Sequence, residues 1–151
     1  MPKKIAIGAD HGGFDLKEEI IKTLKRSRYR VDDMGTDSAE SCDYPLFAFD
    51  VAKKVSDKKA DRGILICKSG IGMAIAANKF PGVRAGLCHS VKDAISARKH
   101  NNTNVLVLAA NRISKKKAVE IAKVWLKTNS LKGRHARRIR QITDMEKTLY
   151  K

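Results

Sequence analysis

The residues best suited to chemistry sit in short, glycine-containing segments. Cys67-Lys68-Ser69-Gly70-Ile71-Gly72 follows an apolar run and opens a helical pattern. Main-chain N–H groups at such a helix start point outward and favour negative charge in front of them. A thiol at that position faces the same positive end, which favours its thiolate form. The plainer reading of Ser69-Gly70-Ile71-Gly72 is a tight strand-to-helix turn, but Cys67 beside it points toward an anion or enolate site. Upstream, Asp10-His11-Gly12-Gly13 follows another apolar run, and its two glycines let the chain turn tightly and expose the carboxylate and the imidazole. His100 and Asn101 stand at the end of a helical pattern, in Arg98-Lys99-His100-Asn101-Asn102, where a histidine is either a helix cap or part of a site. Arg134 and Arg138, four residues apart, share one face of a helix and could grip a phosphate from one side. Taken alone, this basic tail is equally suited to nucleic acid.

Two nucleotide-binding motifs are excluded. The Gly70-Ile71-Gly72 segment lacks the third glycine of a dinucleotide fingerprint and follows a central strand rather than the first. No Gly-Lys-Ser/Thr follows a glycine at the Walker spacing.

The elements that must position these residues alternate in period. Ile5 to Gly8 is a buried strand, followed by a helix with Leu16, Ile20 and Leu24 on one face. Tyr29 to Met34 is a weaker strand closed by Gly35. Pro45 suits the first turn of a helix carrying Leu46, Phe49, Ala52 and Val55 on its apolar face. Arg62 to Cys67 is the clearest strand, and a short helix with Met73, Ile75, Ala76 and Ala77 follows. Val83 to Cys88 and Asn104 to Leu108 are strands; Val91 to Lys99 and Ser114 to Lys127 are helices. From Asn129 onward the tail holds Gly133 and a basic helical stretch to Tyr150.

Near-continuous apolar strands suit a parallel sheet covered on both faces. Strict strand–helix alternation then gives right-handed crossovers and a single-domain, three-layer α/β/α fold over residues 1–151, Rossmann-like, with a five-stranded parallel sheet. In such a sheet ligands bind at the carboxyl ends of the strands, near a switch in strand order. The last helix has no following strand to pack behind, so the tail, residues 129–151, is expected to contact a partner subunit.

Composition narrows the function classes. A chain of 151 residues that is 42% apolar can bury a sizeable core and is not expected to be disordered. No apolar run approaches the length that crosses a bilayer, and the run after Met1-Pro2-Lys3-Lys4 is too short for a signal-peptide core; the expectation is a cytoplasmic protein. Cys42, Cys67 and Cys88 are odd in number and widely spaced, which argues against a disulfide framework and a structural zinc site. Cys88, at the end of an apolar strand, is expected to be a small buried hydrophobe. The net charge of +16 attracts anions of some kind, whether nucleic acid, anionic membrane or phosphorylated metabolite. Aromatic content of 5% leaves little for base stacking, and much of the charge, as in Lys115-Lys116-Lys117, is lysine on solvated helix faces.

With these residues in hand, the chain resembles the B type of ribose-5-phosphate isomerase, the family that includes galactose-6-phosphate isomerase subunits. The resemblance runs over essentially the whole chain. Gly8-Ala9-Asp10-His11-Gly12-Gly13, Asp43-Tyr44-Pro45, Gly63-Ile64-Leu65-Ile66-Cys67, Ser69-Gly70-Ile71-Gly72, Ala76-Ala77-Asn78-Lys79, His100-Asn101 and Gly133-Arg134-His135 stand in the family's order. Each segment is weak alone; together, in register, they are not accidental.

The resemblance implies an aldose–ketose isomerase interconverting ribose 5-phosphate and ribulose 5-phosphate in the pentose phosphate pathway. It implies Cys67 as the base that moves a proton between carbons 1 and 2. Ser69, where the family usually has threonine, would bind the reacting oxygen. The amides of Gly70, Ile71 and Gly72 would hold the enediolate, and His100, with Asp10 nearby, would assist ring opening. Tyr44 and Asn101 would line the sugar site, and His11, Arg134 and Arg138 would hold the phosphate. No cofactor and no metal is implied. The site would lie between two subunits of a homodimer or dimer of dimers, with His100 and Asn101 supplied by the neighbour of the chain that supplies Cys67. Lys68 stands where the family commonly has glycine and puts a cation beside Cys67, where it is expected to favour the thiolate further, and whether Arg112, after the fifth strand, contacts phosphate is left open. Two other readings stand beside this one: isomerisation of a hexose 6-phosphate such as galactose or allose, and a nucleic-acid-binding protein that kept the fold and lost the activity.

Overall fold

The computed structural model describes residues 2–150. Strand β1, Lys4–Ala9, leads through a single 3-10 turn at His11–Gly13 into helix α1, Phe14–Arg26. Then come β2 (Arg30–Asp33), α2 (Tyr44–Ser56), β3 (Arg62–Cys67) and α3 (Ile71–Ala77). The chain closes with β4 (Ala85–Leu87), α4 (Val91–Asn101), β5 (Val105–Ala109), α5 (Lys115–Lys127) and α6 (Arg134–Leu149). The five strands are all parallel, in the order β2-β1-β3-β5-β4. That is the three-layer α/β arrangement expected from the sequence. It places the loops after β1, β3 and β5 side by side along the carboxyl edge.

Both faces of the sheet are buried. Ile5, Ile7, Ile64, Ile66, Leu106 and Leu108 face one way and pack with α1, α4 and α5, around a fully buried Trp125. Ala6, Leu65, Cys67, Val105 and Val107 face the other way, under α2 and α3. This alternation makes the central strands apolar at every position. Polar side chains fix the helix starts: Asp10 accepts the N–H groups of Gly12 and Gly13, Ser90 that of Asp93, and Ser114 that of Lys117.

The apolar faces of α2 and α3 differ from the expected ones. In α2 the buried residues are Ala48, Val51, Ala52 and Val55, whereas Leu46 is 59% exposed and Phe49 also faces out. In α3, Met73, Ala76 and Ala77 are buried and Ile75 is 58% exposed. Small residues let these helices approach the sheet closely, and the large ones are left on the surface. Strand β4 is also shorter than Val83 to Cys88, because Val83 closes a turn on the Phe80 carbonyl and Arg84 N–H is taken by Asn104 Oδ1. Edge strand β2 is polar rather than apolar; its Asp32 and Asp33 pair with Lys54 and with the buried Lys17. Charge on an edge strand opposes pairing with another chain.

The terminal helix does not depend on a partner for all its contacts. The His135 ring stacks on His100 of α4 at 4.5 Å, Glu146 accepts Gly82 N–H at 2.8 Å, and Tyr150 hydroxyl donates to the Lys79 carbonyl at 2.5 Å. Yet no residue of α6 is buried, and Ile142, Met145 and Leu149 remain exposed.

Candidate active site

Cys67 ends β3 at the centre of the sheet, and the chain then turns through Gly70, whose φ of +76° suits only glycine without strain. The turn folds back on the sulfur: Gly70 N–H lies 3.2 Å from Cys67 Sγ, and the residue keeps 5% of its surface exposed. Ser69 Oγ accepts Ile71 N–H at 3.3 Å. Two of the three amides expected to face an oxyanion therefore already have partners. The Gly72 N–H has no acceptor among the described residues.

The β1 loop lies against this turn. Asp10 is 6% exposed, and its Oδ1 accepts Gly12 N–H at 3.0 Å and Gly13 N–H at 3.2 Å, so this carboxylate also holds the turn in shape. His11 Nδ1 accepts the backbone N–H of Cys42 at 3.2 Å. That bond requires an unprotonated Nδ1 and leaves Nε2–H free to donate. Cys42 was not singled out by sequence. It lies in a loop without periodicity, and only the folded chain brings it to His11.

Tyr44, at the start of α2, joins the two loops. Its ring lies over Gly72, where an added methyl would stand 2.5 Å from Tyr44 Cζ. Asp10, His11, Cys42, Asp43, Tyr44 and Leu46 line a cleft of about 420 Å3. This cleft, with the Cys67 turn beside it, gathers Asp10, His11, Tyr44, Cys67, Ser69, Gly70, Ile71 and Gly72 at the carboxyl end of the sheet.

The remaining site residues lie elsewhere. Because α4 runs antiparallel to the strands, His100 and Asn101 stand at its far end, next to the start of β5. Cys67 pairs in register with Ala109, at the opposite end of that strand. The two ends are separated by the strand's length, about 15 Å with the adjoining turn. Asp10 and His100 are thus not neighbours within one chain, and the expectation that they act together requires a second copy. Arg134 and Arg138 belong to the His100 end, as α6 begins beside His100 and both guanidinium groups are exposed. His135 is pushed below the ordinary imidazole range, first by loss of hydration and then by the charges of His100, Arg134 and Arg138.

This second cluster is braced from beneath. Arg98 is 4% exposed and donates to the Thr128 carbonyl (3.0 Å), Asn102 Oδ1 (2.7 Å) and the Thr103 carbonyl (2.6 Å). It ties the end of α4 to the segment that leads into α6. Burial, then the charges of Arg62 and Arg84, lowers its pKa to about 10, so it stays cationic at neutral pH. Trp125 Nε1 donates to Thr103 Oγ1 at 2.9 Å in the same buried layer.

Among the described residues there is no cluster of His, Cys, Asp or Glu that could hold a metal ion, and no helix is long and apolar enough to cross a membrane.

The chain is similar to known proteins in both sequence and fold. A family model described as Ribose/Galactose Isomerase matches residues 5–142. The ribose-5-phosphate isomerase B of Escherichia coli is 44% identical over 144 residues, covering 95% of this chain and 97% of its own. The solved structure of the Clostridium thermocellum ribose-5-phosphate isomerase B superposes with a TM-score of 0.94 at 45% identity, covering 97% of this chain and 99% of that one. That of the Mycoplasma genitalium ribose-5-phosphate isomerase B, solved with bound ribulose 5-phosphate, superposes with a TM-score of 0.93 at 43% identity, covering 95% and 96%.

Proposed function

The chain belongs to the ribose/galactose isomerase family and is a sugar-phosphate isomerase, and from that premise we propose that it interconverts ribose 5-phosphate and ribulose 5-phosphate through an enediolate, with Cys67 as the base. The observation that carries the proposal is the position of the Cys67 sulfur. It lies at the carboxyl end of a central strand, inside a glycine turn, beside a cleft that presents Asp10, His11 and Tyr44. The bound ribulose 5-phosphate of the Mycoplasma genitalium relative supports the pentose phosphate over a hexose phosphate.

Removing a proton next to a carbonyl creates an oxyanion, and preorganised amides stabilise it by a few kcal/mol. The open Gly72 amide is available for this. The Gly70 and Ile71 amides, at 3.2 and 3.3 Å from their present acceptors, can turn to a bound oxygen as Cys67 and Ser69 engage the substrate. His11 Nε2–H and the Arg134 and Arg138 guanidinium groups would take the phosphate, which orients the sugar far from the reacting carbons. His100 would assist ring opening, and Asn101 would line the sugar site.

One chain holds these groups at two ends of its sheet, so the working unit would be a homodimer whose sites combine Cys67 of one copy with His100, Asn101, Arg134 and Arg138 of the other. Exposed apolar residues flank both halves: Leu46, Ile71 and Ile75 beside the Cys67 end, and Ile142, Met145 and Leu149 on α6. A two-fold arrangement that buries the first set against the second would close both sites at once.

A coupled assay with ribose 5-phosphate tests the function. The wild-type protein should turn over and Cys67→Ala should lose at least about a thousandfold in kcat, in keeping with removal of an essential proton-transfer group. Undiminished turnover by Cys67→Ala would remove the thiol from the mechanism.

A further inference from the structure

Building on the phosphate reading above, we propose that Lys68 is a further phosphate-binding residue, contributed by the same chain as Cys67. Strand β3 lies between β1 and β5 in the sheet. The loops that follow these three strands therefore run side by side, and they carry His11, Lys68 and Arg112 in that spatial order. Lys68 is fixed to both flanking loops. Its carbonyl accepts the N–H of Asn111 at 3.0 Å, on the Arg112 side. Its aliphatic stem lies along Gly12, on the His11 side, so closely that a methyl on Gly12 would stand 2.5 Å from Lys68 Cγ and 3.1 Å from Cε.

The ammonium is thus carried to the top of the turn that presents His11. Lys68 is exposed and takes part in none of the ion pairs among the described residues. The nearby Asp10 carboxylate is engaged by two backbone N–H groups and forms no ion pair with Lys68. Cys67 faces the core under α2 and α3, while Lys68 turns toward Gly12 at the entry to α1. Neighbouring residues of an extended segment point to opposite sides. The geometry therefore aims the lysine at an anion above the loops rather than at the adjacent sulfur. An ammonium is a compact point charge with three donors, suited to a phosphate dianion already held by an imidazole N–H.

Lys68→Met tests this, because methionine keeps the unbranched stem on Gly12 and removes only the charge. Three quantities are measured: the dissociation constant of inorganic phosphate by calorimetry, and KM and kcat for ribose 5-phosphate. Both the phosphate dissociation constant and KM should rise roughly tenfold, with kcat within about twofold, and Lys68→Arg should recover most of the affinity. Unchanged phosphate affinity in Lys68→Met would overturn the proposal. So would a slower iodoacetamide reaction at Cys67 with phosphate affinity unchanged, which would assign the charge to the thiol. A wild-type protein that binds phosphate through Lys68 but does not isomerise ribose 5-phosphate would refute the ribose 5-phosphate reading and leave this one standing.

Discussion

If a complete site needs two copies of the chain, two inactive variants should repair each other. Cys67→Ala removes the proposed base at the carboxyl end of the sheet, and His100→Ala removes the imidazole at the other end. The register of β3 with β5 places these positions at opposite ends of the strand, and side chains cannot span the intervening distance of about 15 Å. In a two-fold dimer, a mixed pair contains one site with both substitutions and one site with neither. Random mixing of equal amounts gives half mixed dimers, so activity should return to about one quarter of wild type. Mixed dimers purified through two different affinity tags should reach about half. The assay is the ribose 5-phosphate coupled reaction after co-expression of both chains. Activity no greater than that of the two parents would show that each site is built within one chain, and the two-copy argument would fail.

Other consequences follow from single contacts. In Gly13→Ala the new methyl would lie 2.6 Å from the Ile66 carbonyl oxygen, which is backbone and cannot swing aside; a loss of about 3 kcal/mol in urea unfolding is expected. In Gly72→Ala the clash is with the Tyr44 ring, a partly exposed side chain that can move. Stability should then change by less than about 1 kcal/mol, while KM rises as the ring leaves the cleft. Cys88 is buried, and loss of hydration followed by the charge of Asp93 raises its pKa from 9.0 to about 12. The unfolded chain releases this proton first, so the contribution is fully present below pH 9 and is lost as pH rises toward 12. It amounts to at most about 4 kcal/mol, and Cys88→Ala should flatten the fall of Tm with pH over that interval. A fall of Tm as steep as in the wild type would assign the alkaline loss to other groups.

Much of the candidate cleft was legible because its residues follow strands directly in sequence. Asp10 and His11 come one and two residues after β1, and Cys67 ends β3, so recognising the strands located the loops. The partner of His11 was not legible, because Cys42 is 31 residues away in a segment with no period of its own. Nor was the brace at Arg98, since an arginine near a helix end has the same local pattern whether it is solvated or buried against three carbonyl-type acceptors. The exposed positions of Leu46, Phe49 and Ile75 were missed for a related reason. Periodicity marks an apolar face, but it does not say whether that face meets the sheet or remains outside it.

The order of strands and helices and the glycine turn at Cys67 were determined by the sequence itself, because each depends on contacts between residues near one another in the chain, and the alternation of strand with helix then implied parallel pairing. Which loops became neighbours was decided only by the strand order β2-β1-β3-β5-β4, which rests on pairings between distant segments. The same long-range arrangement set His100, Asn101, Arg134 and Arg138 at the far end of the sheet from Cys67. A helix that returns antiparallel to its strand must deliver its last residues to the strand's starting edge, whatever those residues are.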